Sequence, residues 1–209
     1  MSRPCISATL SLAAFARLGT SAEPWQSFEK ARVFVASGNL SQTRAILESI
    51  ALTPGIESRV RVQAWHSLRE AGGQPPAGVQ SDVLGVVVEV AIPEGQNFLA
   101  IYADQPAYYY NYAGGAVVWL RPDASLDKQI NSVLGAARAI VPFIGPWKEA
   151  RRPPPSAGIA RLNILTPVGL HFGEGPLQTL DVNRNARPLL GAATAVMAKL
   201  TSLPRRQDP

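Results

Sequence analysis

The stretch VLGVVVEVAIPEGQNFLAIYADQPAYYYNYAGGAVVWL, from Val83 to Leu120, decides the architecture. In its first segment Leu84, Val86, Val88, Val90 and Ile92 fall on one side of a period-two ribbon, and Gly85, Val87, Glu89 and Ala91 fall on the other. That alternation predicts a strand with one core-facing side. Pro93-Glu94-Gly95 ends it, and three further strands follow at hairpin spacing: Phe98 to Ala103, Tyr108 to Tyr112 after Asp104-Gln105-Pro106, and Ala116 to Leu120 after Ala113-Gly114-Gly115. Strands joined by turns this short can only run antiparallel.

Downstream the period changes. Leu126, Ile130, Val133, Leu134, Ala137, Val141 and Ile144 recur at helical spacing, with Ser125 as the expected cap and Pro142 and Gly145-Pro146 as the stop. Residues 148–158, with three consecutive prolines, read as a surface excursion. A strand from Ala160 to Leu165, a turn at Thr166 to Gly169 and a partner strand through Leu170 to Phe172 make a hairpin. The last helix is entered near Pro188 and carries Leu189, Ala193, Val196 and Leu200 on one stripe.

Upstream, three short helices are expected. Trp25, Phe28 and Val35 mark the first, which stops at Gly38-Asn39; Ser41 caps the second, with Ala45, Ile46 and Ile50; the third runs from Ile56 through Val60, Ala64 and Leu68 to Gly72-Gly73. Gly72-Gly73-Gln74-Pro75-Pro76 is a linker. The chain therefore divides into a flexible N-terminal arm over residues 1–23, a helical segment over 24–73 and a sandwich over 82–204. The class is α+β: an N-terminal helical segment, then an antiparallel sheet (a four-strand meander plus a two-strand hairpin) packed with two helices.

Two resemblances bear on this reading. SGNLSQTRAILESIALTPG, from Ser37 to Gly55, resembles the second half of a tetratricopeptide repeat, with Gly38 at the inter-helix turn and Pro54 after the second helix. The interval is one residue shorter than that pattern, Thr43 stands where alanine is usual, and no second copy follows. QAWHSLREAG, LGVVVEV, YYYNYAGGAVVWL, IGPW and LNILTPVGLHFGEGP, from about Gln63 onward, resemble strings in an uncharacterised group of bacterial proteins of similar length. That resemblance implies a discrete, recurring bacterial module and transfers no catalytic or binding residue to any position.

Composition narrows the field. With 46% hydrophobic and 17% charged residues in 209, the chain can bury a sizeable core, and no apolar run approaches the roughly 20 residues of a spanning helix. No membrane association is expected. The single Cys5 excludes an internal disulfide and a thiolate-rich zinc site, which suits a reducing compartment and favours a cytoplasmic location. Ser7 to Ala16 also has the make-up of a short secretory or organellar targeting core, with Ala14-Phe15-Ala16 as a cleavage site; the lone Arg3 and the interrupting Pro4 weigh against it. The formal charge of +5 is thinly spread. Residues 1–80 hold eight Lys/Arg against five Asp/Glu, and residues 81–209 hold twelve against ten, so neither half is a nucleic-acid-binding basic domain.

Chemistry-bearing residues are few. His171 and Glu174 lie three apart in a Gly-rich strand end, a spacing that suits a ligand site, a proton-transfer pair or a metal-assisted hydrolase, with His66 as a distant third group. Tyr108, Tyr110 and Tyr112 alternate onto one side, where rings can receive a base, a ring-shaped ligand or a partner's side chains. Trp147 with Arg151 and Arg152 makes an anchor for a protein partner. No nucleophile elbow, phosphate loop or metal motif occurs, so neither a catalytic set nor a cofactor is assigned. The expectation is a non-enzymatic interaction module of a bacterial complex, with a homodimer compatible with it; a small-molecule or nucleotide sensor is the alternative.

Overall fold

The computed structural model describes residues 10–18 and 22–203. Cys5, the residues before Leu10 in the targeting-like stretch, and Arg205 and Arg206 lie outside them. The described residues form two compact units. One holds the chain up to Leu84 together with residues 165–169; the other holds residues 85–164 and those from Leu170 onward.

The first unit is helical: α1 (Leu12–Ala16), α2 (Trp25–Ala36), α3 (Leu40–Leu52) and α4 (Ser58–Glu70). Gly38, at φ +77°, lets α2 end in a left-handed turn, and Asn39 N–H closes it on the Phe34 carbonyl at 2.9 Å. The same Asn39 then opens α3, its Oδ1 accepting from Gln42 N–H at 3.2 Å. Asn39, not the expected Ser41, is the cap, because only the residue outside the first turn can reach back to an orphan N–H. Phe28, Leu47, Trp65 and Leu68 form the centre of the core. Phe28 meets Phe15 edge-on, with ring centroids 5.0 Å apart, and Trp25 closes the trio. The expected flexible arm is docked where it is described. Leu12 and Ala16 join the core, and the Gln63 side-chain amide pairs with the Leu10 backbone in both directions, at 3.1 and 2.7 Å.

On α4, His66 stands 3.4 Å from Glu70, yet burial outweighs that carboxylate and holds the imidazole below its ordinary 6.5. The folded state then binds fewer protons than the unfolded chain just below that value. Stability is expected to be full above about pH 6.5 and to fall as acid carries the imidazole down to its lowered pKa. His66→Gln should flatten the slope of urea midpoint against pH between 7 and 5; an unchanged slope would assign the acid sensitivity to other groups.

The second unit is built on one antiparallel six-stranded sheet in the order β4-β3-β2-β1-β5-β6. Its strands are β1 (Gly85–Ile92), β2 (Gly95–Tyr102), β3 (Ala107–Tyr110), β4 (Ala116–Trp119), β5 (Ile159–Thr166) and β6 (Gly169–Pro176). The meander registers Val86 with Ile101, Ala107 with Ile101 and Trp119 with Ala107, so these four share a row. All four are buried, and small Ala107 leaves room for the adjacent indole. Gly85 opens β1 where a Cβ would sit 2.9 Å from the Tyr102 ring and the Ile101 carbonyl oxygen, so no larger residue fits.

From β4 the chain must return across the sheet to reach β5 beside β1, four strand spacings of about 4.8 Å, or about 19 Å. Helix α5 (Asp127–Ile140), of 14 residues, covers about 21 Å at about 1.5 Å per residue and makes the crossing. Its buried Ile130, Val133, Leu134 and Ala137 form one stripe, and it packs beside α7 (Ala186–Ser202). Leu126, not Ser125, precedes the first turn without a side-chain cap; Ser125 N–H is instead held by Asp123 Oδ1 at 2.7 Å. A short helix, α6 (Leu177–Val182), links β6 to α7, an element too short to carry a periodic signal.

Two expectations are corrected here. Both sides of β1 are buried, with Val87, Glu89 and Ala91 as inaccessible as Val86 and Val88. The proline-rich stretch is not a free excursion. Gly158 N–H bonds the Ala91 carbonyl at 2.8 Å, Gln96 Nε2 donates to the Pro155 carbonyl at 3.1 Å, and Arg161 Nη2 donates to the Pro153 carbonyl at 2.7 Å. Proline has no backbone N–H but keeps its carbonyl, and the carbonyls of Pro153 and Pro155 serve here as acceptors that tie the loop to the sheet.

Candidate functional site

Alternation sorts the site residues by face. Val88, Leu99 and Tyr109 occupy the face shared with α7, and Glu89, Phe98 and Tyr110 form a row on the opposite face, beside the row Val87, Ala100 and Tyr108. On that second face lies a buried ionic network. Glu89 is 2% exposed; its Oε1 accepts from Asn163 Nδ2 at 2.9 Å and Arg151 Nη2 at 3.3 Å, with Arg161 Nη1 4.0 Å away. Asn163 Nδ2 also donates to the Val87 carbonyl at 3.0 Å, which orients its amide. Arg161, 3% exposed, turns its Nε to Glu174 Oε2 at 2.6 Å, and its Nη2 also reaches that oxygen.

Such a set is costly to bury unless each charge is paired and hydrogen-bonded, a condition this network meets. It brings three guanidiniums to two carboxylates, and the most exposed of the three is that of Arg152. Its side chain is 53% exposed, its link to Glu174 is long at 3.6 Å, and its guanidinium carbon lies 5.4 Å from the Trp147 ring and 6.0 Å from the Phe172 ring. Trp147 and Phe172 meet edge-on at 4.9 Å, and Trp147 is itself fixed by its N–H on the Leu170 carbonyl at 2.7 Å and its Nε1 on the Ala150 carbonyl at 3.1 Å. The result is a rigid aromatic base carrying a half-exposed cation.

The structure thus gathers Trp147, Arg151, Arg152 and Glu174 into one assembly, and places Tyr108 and Tyr110 on the same sheet face. It separates His171 from Glu174. Three positions apart on β6, they lie on opposite faces, and His171 is buried with its Nδ1 2.8 Å from the Ile144 carbonyl. Because a carbonyl only accepts, Nδ1 carries the proton. The pair therefore does not form the expected proton-transfer or metal-ligand couple, and among the described residues no three His, Cys, Asp or Glu side chains gather to hold an ion. Tyr112 also leaves the expected row. β3 stops at Tyr110 because Asn111 turns its side chain to Gly115 N–H at 2.7 Å, and Tyr112 projects with 52% exposure.

Glu89, Arg161, Asn163 and Phe172 were not singled out from sequence. Glu89 interrupts an otherwise apolar strand, and Arg161 and Asn163 alternate in the next buried one; that coincidence of polar residues in core-grade strands was the available signal. Compared with protein-family models, curated proteins and solved structures, the chain finds no match.

Proposed function

We propose that this protein is a non-enzymatic docking module, and that its partner contacts the platform of Trp147, Arg152 and Phe172. The carrying observation is the half-exposed Arg152 guanidinium poised over two rings. Tryptophan and arginine dominate interface energetics, and here the two rings beneath Arg152 and its link to Glu174 already restrict the guanidinium before a partner arrives. Held this way, the guanidinium suits a carboxylate of an acidic partner segment, with the indole beneath as the apolar contact.

The test is purification of the tagged full chain from its own cells. The wild type is expected in a complex that Arg152→Glu loses by at least about tenfold, with little change in thermal stability because exposed ion pairs contribute only about 0–1 kcal/mol. A solitary wild-type monomer in native lysate, or undiminished capture by Arg152→Glu, overturns the reading. Self-association is a second reading, favoured by the edge strand β4, where Val118 is 51% exposed and Leu120, just past its end, is 67% exposed. Light scattering on the purified chain decides it: a dimer that Val118→Lys dissociates supports it, and a monomer at high concentration removes it.

A further inference from the structure

A cavity of about 300 Å³ lies on the other face of the sheet, between β1, β2, β3 and α7. Its walls include Val88, Val90 and Leu99 from the strands and Leu190 and Met197 from the helix. Leu177 and Thr194, both exposed, stand where it meets solvent. The void exists because the row Val90, Asn97 and the row Val88, Leu99, Tyr109 face Ala193, whose methyl is too short to fill the space a larger helix residue would occupy. Because it opens to solvent beside Leu177 and Thr194, a small molecule can reach it without unfolding the domain.

Its polar groups are few. Thr194 Oγ1 already donates to the Leu190 carbonyl at 2.9 Å. Asn97 Oδ1 is occupied by Tyr112 N–H at 3.1 Å, which turns the amide so that its NH2 is the end left to donate. The Tyr109 hydroxyl has no hydrogen-bond partner among the described residues. No charged side chain lines the cavity.

From this we infer that the cavity is a binding site for a small neutral molecule, largely apolar and carrying one hydrogen-bond acceptor such as a carbonyl oxygen. Size sets the first limit: an apolar cavity of about 150 Å³ accepts benzene, so this one takes about ten non-hydrogen atoms. Hydrogen-bonding capacity sets the second: the Asn97 NH2 only donates and the Tyr109 hydroxyl has an O–H to give, so a carbonyl oxygen is a group that both can serve. Charge sets the third. A carboxylate here would be desolvated with no cation to meet it, so an anion is rejected. The inference is independent of the docking platform, which lies across the sheet.

Three probes of nearly equal size separate these requirements: acetophenone, ethylbenzene, which lacks the acceptor, and benzoate, which is charged. The chain has two methionines, and Met197 is in the cavity wall, so methionine-methyl NMR on the full chain reads the site directly. Acetophenone is expected to shift the Met197 methyl saturably. Ethylbenzene should do so about three- to tenfold more weakly, one hydrogen bond's worth, and benzoate not at all. Tyr109→Phe or Asn97→Ser should bring acetophenone down to the ethylbenzene level without altering ethylbenzene itself. Ala193→Leu, which fills the void, should abolish both; if that variant fails to fold, the two polar substitutions still decide. No saturable shift with either neutral probe overturns the site, benzoate binding as well as acetophenone overturns the neutral ligand class, and equal acetophenone binding in both polar variants overturns the acceptor contact.

Discussion

Arg161→Met is expected to destabilise the second unit by about 3–5 kcal/mol, a magnitude reserved for removing one member of a buried ion set. Arg161 faces two carboxylates at once. Without it, the fully buried Glu89 keeps only Asn163 and Arg151 as close partners, and Glu174 keeps only Arg152 at 3.6 Å. Methionine replaces the stem of the side chain but not its charge, so the loss reports electrostatics more than packing. Urea titration followed by tryptophan fluorescence measures it. The double variant Glu89→Gln with Arg161→Met separates causes: removing the stranded charge together with its partner should recover at least about 1 kcal/mol relative to the sum of the single effects. A single-variant loss below about 1 kcal/mol would mean that water reaches the network and that burial is not what binds it.

Phe28→Ala is expected to cost the first unit about 3–5 kcal/mol, the range for emptying a large aromatic site in a closed core. The ring is fully buried and lies between Phe15 and Trp25, so truncation removes two ring contacts as well as buried area. It also loosens α1, whose docking depends on that aromatic cluster. Val33→Ala on the same helix is the control: Val33 is 52% exposed and its truncation should change stability by no more than about 0.5 kcal/mol. Thermal unfolding followed by circular dichroism, run on both variants, checks the contrast; equal effects would contradict the burial of Phe28.

The elements most legible in sequence were those whose signals are local. The alternation of β1 and the turns at Pro93-Glu94-Gly95 and Ala113-Gly114-Gly115 each act within a few residues, and the meander they predict is present with ends displaced by at most three positions. Caps were less legible. Asn39 and Ser41 are both good capping residues, and the choice fell to the left-handed Gly38 that delivered Asn39 to the helix mouth. The site is legible in pieces: Trp147, Arg151 and Arg152 stand out as one group and Glu174 as part of another, while Glu89 and Arg161, which join them, read as ordinary members of alternating strands.

Sequence by itself determined the α+β class, the hairpin order of the strands and which residues share a face, because pleat and turn geometry are set by neighbours along the chain. Tertiary structure alone decided that the side of β1 bearing Glu89 is dry and that the proline-rich stretch folds back over it. Alternation assigns a residue to a side but carries no information about what covers that side. The partners of Glu89 lie 62 and 74 positions away, and at such separations only the packing of the whole sheet brings charges within reach.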